Sequence, residues 1–294
     1  MYRGNPLPAP DVATAEWINP IGGMGDMLMV AGVLKQVHER DPSRRFRLVR
    51  RSSYRAMLQG HPAIREIGFP PKGAAIVGTD YWRYDLDPGD HRPYQVLAQM
   101  FGLPTPAREI LFFPGRTEID PILLKSIPWG DRVAVIATAS DSPRKRISAA
   151  HWRRVVQGLR EDGFLVLQTG KREDTYIEGS FSLLGLTDPG TFIGLVRRAE
   201  IVITPDTFAM HAAYLTGTPA VVLWGPTDPA VYGYPGHVHL RDISRCDRAD
   251  RCFSVETPDT YLTPCPLGDD YCMQRISPES IREAALQLLR NQGS

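Results

Sequence analysis

The sequence predicts an α/β fold built on parallel sheets, and two patterns carry this prediction. Apolar runs of strand length alternate along the chain with segments whose apolar residues recur at helical spacing. Such alternation is typical of parallel strands joined by crossover helices. Proline and glycine gather between residues 113 and 131 and interrupt it. We therefore expect two α/β domains, at residues 1–129 and 130–294, with a final helix that can cross back to the first.

In the first half, a glycine loop at residues 22–25 separates a short strand from a long helix. The helix has apolar residues on one face, and Asp41-Pro42 ends it. The expected elements are, in order, a strand at 16–19, a helix at 26–40, a strand at 46–49, a helix at 54–58, a strand at 74–77 and a helix at 94–101.

The second half repeats the alternation and ends in an amphipathic helix. Ser277 and Pro278 suit the N-cap and first turn of that helix. The expected elements are a strand at 133–137, a helix at 151–160, a strand at 165–168, a helix at 190–198, a strand at 201–203, a helix after residue 206, a strand at 220–224 and the final helix at 278–290.

Residues 201–229 read as strand, loop, helix, strand and loop, and they are the most informative segment. Asp206 stands where a helix N-cap belongs, and Gly217 ends the helix. In open α/β sheets, ligands bind outside the carboxyl ends of the strands. A helix N-terminus there has free N–H groups that suit a phosphate. The segment therefore predicts half of a site for an anionic ligand.

Motifs in four segments point to one family. They are GGMGD at 22–26, KRISAAHW at 145–152, DTFAMH at 206–211 and GPTDP at 225–229. In this order they resemble the glycine loop, the K-x-W-P-x-E-x-W segment, the D-[ST]-G-x-x-H helix and the GPTDP loop of glycosyltransferase family 9, the bacterial heptosyltransferases.

The resemblance implies the glycosyltransferase B fold, in which two Rossmann-like domains face a central cleft. It implies an inverting transfer of a sugar, such as heptose, from a nucleoside-diphosphate donor, such as ADP-heptose, to a hydroxyl of a glycan, lipid-linked or protein acceptor. It implies no catalytic metal. Two rivals share the fold: a nucleotide-sugar epimerase, which uses no acceptor, and a relative that binds nucleotide without catalysis.

Asp26 closes the glycine loop at the start of the first helix. A carboxylate there can stabilise the helix as an N-cap or first-turn residue. It can also be the general base that deprotonates an acceptor hydroxyl, since an inverting transfer needs a carboxylate beside the attacking oxygen. The resemblance favours the base. The same helix start could face a pyrophosphate, so we place Gly25 among the donor-binding residues.

Three consecutive cations, Arg144 to Arg146, follow the expected strand at 133–137. Basic turns are commonly solvated, but a cation at the carboxyl end of a strand can stabilise the charge that a leaving diphosphate gains. The resemblance makes Lys145 the phosphate-binding lysine. Arg144 or Arg146 is the expected assistant, and Ser140 supplies a hydroxyl beside them.

Glu173 follows the strand expected at 165–168. The resemblance places a glutamate near this position, where it accepts hydrogen bonds from the ribose of the donor. An ordinary surface carboxylate is an equally open interpretation.

Thr207 and the N–H groups that follow it are expected to hold phosphate, and Asp206 beside them is placed among the donor-binding residues. His211, one turn later, is either a donor ligand or a core histidine. Phe208 stands where the family usually has glycine, so its ring either stacks on the donor or changes access to the phosphates.

All four cysteines lie between residues 246 and 272, at Cys246, Cys252, Cys265 and Cys272. Their spacing is not that of a zinc finger or ribbon. One interpretation is a reduced, cysteine-rich loop. The other is a structural iron or zinc site that orders an irregular segment. Related heptosyltransferases carry cysteines here, and some that act on proteins bind iron. A disulfide is disfavoured in the cytoplasm.

Composition excludes several function classes. The net charge of +1 disfavours a nucleic-acid binder that relies on bulk electrostatics. The N-terminus has no apolar signal core, and no apolar run reaches the length of a spanning helix. We expect a cytoplasmic protein that is at most peripheral to a membrane. Asp85 and Asp87 form a D-x-D match, which we interpret as a loop rather than a metal site.

Overall fold

A computed structural model describes residues 15–50, 54–84, 86–89, 91–104, 108–246, 252, 262–268 and 271–292. The chain divides into two compact units. Unit 1 comprises residues 1–116 and 230–232, and unit 2 comprises residues 117–229 and 233–294. The short segment 230–232 thus returns to unit 1, whereas the C-terminal helix stays with unit 2.

Unit 1 contains a parallel sheet. Its described strands are β1 (Trp17–Asn19), β2 (Phe46–Val49), β3 (Ile64–Gly68) and β4 (Ile76–Gly78), in the order β3-β2-β1-β4. The helices are α1 (Met24–Arg40) and α2 (Pro93–Met100), with 3₁₀ turns at Arg55–Leu58 and Tyr81–Arg83.

The first strand, the second strand and the long helix of unit 1 confirm the sequence-based expectation, but two details differ. The helix expected at 54–58 is a single 3₁₀ turn. Strand β3 was not expected, because Arg65 and Glu66 at its centre are exposed and charged. It lies at an edge of the sheet, where such residues are common.

Helix α1 supplies much of the core of unit 1. Its residues from Met27 to Leu34 are all buried, and the area they remove from water stabilises the unit at roughly 25 cal/mol per Å². Gly32 lies so close to the backbone of Ile110 that a Cβ would overlap the Ile110 carbonyl. This close approach explains a glycine in the middle of a helix, where it otherwise costs stability.

Unit 2 contains a larger parallel sheet, in the order β10-β9-β8-β5-β6-β7. Its described strands are β5 (Arg132–Ala137), β6 (Phe164–Thr169), β7 (Phe181–Ser182), β8 (Ile201–Pro205), β9 (Ala220–Trp224) and β10 (Val238–Arg241). The helices are α3 (Pro121–Ser126), α4 (Ala149–Glu161), α5 (Pro189–Arg198), α6 (Phe208–Thr216), α7 (Pro229–Tyr232, which crosses to unit 1), α8 (Cys272–Arg275) and α9 (Pro278–Gln292).

The strands and helices expected in the second half are confirmed. Helices α4, α8 and α9 share one apolar core with strands of the sheet. Trp152 on α4 is buried in the same cluster as Ile281 and Ala285 on α9. Arg282 on α9 binds both oxygens of Asp162, at 2.7 Å each. The C-terminal helix is therefore fixed to unit 2 by apolar burial and a paired ionic contact. In the described parts of the chain, no helix has the length and apolar character needed to span a membrane.

The strand order determines where the motif loops meet. From β5 the chain runs to β6 on one side, and it later returns to β8 and β9 on the other. The order therefore reverses between β5 and β8, which is where ligands bind in open α/β sheets. Because the strands are parallel, the loops after β5, β6, β8 and β9 all lie at the same edge.

Candidate functional site

The glycine loop of unit 1 surrounds the carboxylate of Asp26. Helix α1 begins at Met24, so Asp26 lies in its first turn, beside the buried Gly25. The backbone N–H of Gly23 donates to Asp26 Oδ2 at 2.6 Å, which is the stabilising role of a first-turn acid. Gly22 has a φ of +121°, and a Cβ there would lie 2.5 Å from Asp26 Oδ2. Glycine is therefore required at that position.

The other oxygen of Asp26 is held by a tyrosine that no sequence motif indicated. Tyr81 donates its hydroxyl to Asp26 Oδ1 at 2.5 Å, and its ring is buried. Thr79 holds this segment against the glycine loop, because its Oγ1 donates to Ile21 O at 3.1 Å and accepts from Ile21 N at 2.9 Å. Two neutral donors thus orient the carboxylate.

In unit 2, residues from three motif loops meet where the strand order reverses. Lys145 Nζ donates to Asp206 Oδ2 at 2.6 Å, and Thr227 Oγ1 donates to the same oxygen at 2.8 Å. The side chains of Lys145 and Asp206 are only 11% and 10% exposed. The three residues follow β5, β8 and β9, which are neighbours in the sheet. Thr227 was expected only as part of the GPTDP loop, without a role of its own.

Asp206 keeps its negative charge at this position. Burial alone would raise its pKa, but the charge of Lys145, hydrogen bonds from Lys145 and Thr227, and the charge of His211 hold the pKa below its usual value. The ionised carboxylate gives Lys145 a fixed partner, so the ammonium is held in place at the edge of the sheet.

Helix α6 begins directly beside this ion pair. Thr207 is its N-cap residue, but the Thr207 side chain makes no capping bond to the helix. Its Oγ1 instead lies 2.9 Å from Thr204 Oγ1. The ring of Phe208 packs against Phe192 at 5.3 Å between centroids. Phe208 is therefore supported by the protein's own aromatic side chain.

His211 shares a hydrogen bond with Tyr234, with 2.5 Å between Nδ1 and the hydroxyl. The ring of Tyr234 is buried and stacks on Tyr214. This is the environment of a structural histidine, although His211 also contributes charge near Asp206. Its expected part in donor binding stays a prediction.

The other members of the basic turn have different environments. Ser140 Oγ accepts from Ser142 N at 3.2 Å, and Arg146 Nε donates to Ser140 O at 2.6 Å. Ser142 is fully buried, and its hydroxyl has no hydrogen-bond partner among the residues that the structure describes. Arg144 is 9% exposed and donates to the cysteine-containing segment. Only Lys145 of the basic turn is thus paired with Asp206.

Glu173 is exposed in the loop after β6. The neighbouring Asp174 shapes that loop, because its Oδ2 accepts from Lys171 N at 2.7 Å. Lys171 Nζ in turn pairs with Asp141 Oδ1 at 2.8 Å. The structure places Glu173 at the expected edge of the sheet, and its proposed contact with ribose stays a prediction.

The D-x-D match falls partly outside the described residues, since Asp85 is not among them. Asp87 accepts from Gly89 N at 2.7 Å and pairs with His91 at 2.8 Å. These are the contacts of a loop aspartate.

The structure brings the four cysteines to one pocket in unit 2. Cys246, Cys252, Cys265 and Cys272 line it together with Arg144, Gly225 and Tyr271, and all four are free thiols. Burial, followed by the influence of the neighbouring thiols, raises the pKa of Cys272 to about 11. Among the described residues, no three Cys, His, Asp or Glu side chains are arranged as a metal site. The expected ligand set is thus gathered, but it is not assembled into a coordination sphere.

The two parallel α/β units, with motif loops at their strand ends, have the glycosyltransferase B fold, which they share with solved structures. The family model of "Glycosyltransferase family 9 (heptosyltransferase)" matches residues 59–258, and the chain belongs to this family. The protein is therefore a glycosyltransferase.

Solved structures share the fold at low sequence identity. The E. coli ADP-heptose lipopolysaccharide heptosyltransferase II has a TM-score of 0.65 and 17% identity, over 95% of this chain and 99% of that one. The iron-containing dodecameric glycosyltransferase TibC from enterotoxigenic E. coli H10407 has a TM-score of 0.67 and 17% identity, over 94% of this chain and 79% of that one. TibC in complex with ADP-D-β-D-heptose has a TM-score of 0.65 and 18% identity, over 94% of this chain and 76% of that one. No curated protein sequence matches the chain.

Proposed function

We propose that this protein transfers a sugar, with inversion, from a nucleoside-diphosphate donor such as ADP-heptose to a hydroxyl of an acceptor. The observation that carries the proposal is the buried pair of Lys145 and Asp206 at the point where the strand order of unit 2 reverses. A fixed cation at that point suits a diphosphate. Family membership and the TibC structure in complex with ADP-D-β-D-heptose support the same class of donor.

The proposed reaction is a single displacement. Asp26 takes the proton of the acceptor hydroxyl, and that oxygen forms a bond to the anomeric carbon of the sugar. The bond from the anomeric carbon to the diphosphate breaks with its electron pair leaving on the phosphate oxygen. Tyr81 and Gly23 N–H keep the Asp26 carboxylate in one orientation, which is how positioned groups lower a barrier.

Lys145 has the complementary role at the leaving group. Its ammonium is held in place by Asp206. It is the proposed cation for the phosphate oxygens, whose negative charge grows as the bond to the sugar breaks. The N–H groups at the start of α6, which follow its N-cap residue Thr207, are the proposed neutral donors to the same phosphates.

The proposal is tested with purified protein and candidate nucleoside-diphosphate sugars, each with and without a hydroxyl acceptor. Release of nucleoside diphosphate that requires acceptor, with inverted product by NMR, supports transfer. Conversion of the donor without acceptor indicates an epimerase. Tight nucleotide binding with no turnover of any donor indicates a relative that binds without catalysis. The last two outcomes each overturn the proposal.

We further propose a structural iron or zinc in the cysteine pocket. The chemistry of the residues fits, since four thiols can hold either metal. Cys246, Cys252, Cys265 and Cys272 would bind it as thiolates, so binding would release protons and order the loop. The metal would stabilise the fold, and it would take no part in the sugar transfer.

Elemental analysis of protein purified without chelator is expected to find about one iron or zinc per chain, with sulfur ligands near 2.3 Å by X-ray absorption. A chelator should lower the melting temperature before it affects turnover. Protein that is free of metal as isolated, and that fails to take up added Zn²⁺ or Fe²⁺ under reducing conditions, would contradict the site.

We place the reaction in the cytoplasm, with at most peripheral contact to a membrane. Four free thiols suit a reducing compartment. The acceptor remains one of three classes: a glycan, a lipid-linked saccharide or a protein. The acceptor-dependent assay above distinguishes them directly.

A further inference from the structure

Arg144 connects the cysteine pocket with the turn that carries Lys145. Its guanidinium donates from Nε to Thr263 O at 3.0 Å and from Nη2 to Thr263 Oγ1 at 3.0 Å. Its Nη1 donates to Cys252 O at 3.3 Å and lies 3.2 Å from Cys252 Sγ. Each nitrogen of the guanidinium is thus engaged by the cysteine-containing segment, more than 100 residues away in sequence.

These contacts change the expected role of Arg144. The side chain is 9% exposed and lines the pocket of the four cysteines. The guanidinium that the sequence assigned to a phosphate is therefore committed to protein groups. A buried arginine with several hydrogen bonds fixes the backbone from which it extends, because breaking those bonds leaves a buried charge unpaired.

The backbone next to Arg144 belongs to the candidate donor site. Lys145 follows it in a 3₁₀ turn, closed by Lys145 N donating to Ser142 O at 3.1 Å. The carbonyl of Arg144 lies against Gly225, where a Cβ would come within 2.9 Å of it. Gly225 begins the GPTDP loop, whose Thr227 donates to Asp206. The turn, the GPTDP loop and the ion pair are therefore in direct contact with one another.

We propose that Arg144 is a positioning residue through which the four-thiol pocket controls the placement of Lys145. Occupation of the pocket by a thiophilic metal would order Cys252 and Thr263, and through Arg144 it would fix the Lys145 ammonium for the diphosphate. Loss of that order would weaken diphosphate binding while the remainder of the nucleotide still binds. This inference rests on the proposed function, because it gives Lys145 the phosphate.

The first test is calorimetry of the full chain with ADP, GDP and UDP, using the tightest of them and the corresponding nucleoside as probes. Arg144→Gln should weaken binding of the nucleoside diphosphate by about tenfold, or ~1.4 kcal/mol, and should leave the affinity for the nucleoside unchanged. The matched control is Arg153→Gln, an exposed arginine of α4 that pairs with Glu178, and it should leave both affinities unchanged. Equal affinities for Arg144→Gln and wild type would overturn the coupling.

A double-mutant cycle then tests the route through Lys145. In a Lys145→Ala background, Arg144→Gln should cause no further loss of diphosphate affinity, because no Lys145 ammonium is left to be positioned. Losses that add independently would show that Arg144 acts on the ligand by another route and would overturn the proposal. Thr263→Val removes one acceptor of Arg144 without altering a thiol, so it provides a milder variant if Arg144→Gln unfolds.

The last test varies the pocket itself. Addition of Zn²⁺ to reduced, metal-free wild type should tighten binding of the same probe, and the effect should disappear in Arg144→Gln that still takes up the metal. Zinc uptake without any change in wild-type affinity would overturn the proposal. If wild type binds none of the three diphosphates, the proposed function fails instead, so the two failures are distinguishable.

Discussion

The two units each hold one conspicuous aspartate, and the two aspartates have opposite kinds of partners. Asp26 accepts from a tyrosine hydroxyl and a backbone N–H, both neutral. Asp206 accepts from the Lys145 ammonium and from Thr227. A general base must gain a proton during the reaction. Protonation of Asp206 would leave a buried lysine without its counter-charge, whereas protonation of Asp26 breaks no described ion pair.

This difference teaches how to assign roles to two carboxylates that both follow a strand and begin a helix. The carboxylate with neutral partners suits proton transfer. The carboxylate paired with a buried cation suits the orientation of that cation. Each of the following predictions tests one side of the comparison.

The largest expected effect is that of Asp26→Asn. If Asp26 takes the proton, turnover should fall by roughly 10²–10⁴-fold, while the affinity for ADP stays near that of wild type. Asp87→Asn, in an exposed loop of the same unit, is the matched control and should keep its turnover. A folded Asp26→Asn variant with near-normal turnover would remove Asp26 from the mechanism.

Lys145→Ala should affect binding, turnover and stability together. Loss of one fixed donor to the developing phosphate charge should lower turnover by about 10²–10³-fold, and ADP should bind more weakly by calorimetry. Asp206 would also be left as an unpaired buried charge, at a cost of about 3–5 kcal/mol in the free energy of unfolding. Lys171→Ala, whose exposed ammonium pairs with Asp141 after the neighbouring strand, is the control.

A second variant separates the two effects of Lys145. In Lys145→Ala/Asp206→Ala the unpaired charge is gone, so stability should recover relative to Lys145→Ala. ADP affinity should not recover, because the cation is still missing. Recovery of both stability and ADP affinity would show that Lys145 only stabilises the fold and does not bind the diphosphate.

Tyr81→Phe should have a smaller and more selective effect. The carboxylate loses one orienting hydrogen bond, so turnover should fall by about tenfold with KM for the donor unchanged. Tyr84→Phe, three residues later, is the control. In an Asp26→Asn background the Tyr81→Phe loss should vanish, and its persistence there would argue for a purely structural role.

The smallest expected effect is a pH dependence of stability. Since the folded pKa of Asp206 lies below its ordinary 3.8, the pair contributes its full stability above that pH and loses it as pH falls through the folded pKa. The difference in melting temperature between wild type and Asp206→Asn should therefore be constant from about pH 7 to pH 5 and shrink below about pH 4. A difference that disappears already near pH 6 would contradict the ionised pair.

Local sequence was sufficient for the features that depend on neighbouring residues. The alternation of strands and helices, the glycine loop at Gly22 to Asp26 and the strand–helix–strand segment at 201–229 are all readable along the chain. Glycine with a positive φ and apolar periodicity act over a few residues, and this is why such patterns predict elements and loops. The edge strand β3 was not predicted, because its exposed charged residues show no such pattern.

The partners of the candidate site residues were decided only by the tertiary structure. Tyr81 meets Asp26 across 55 residues, Lys145 meets Asp206 across 61, and Arg144 meets Thr263 across 119. Sequence alone treated Arg144 and Lys145 as one basic turn and the cysteines as a separate question. The strand order of unit 2 pairs Lys145 with Asp206, while packing turns Arg144 into the cysteine pocket. Side-chain direction at a strand end depends on which neighbours the sheet brings there, and that information is absent from local spacing.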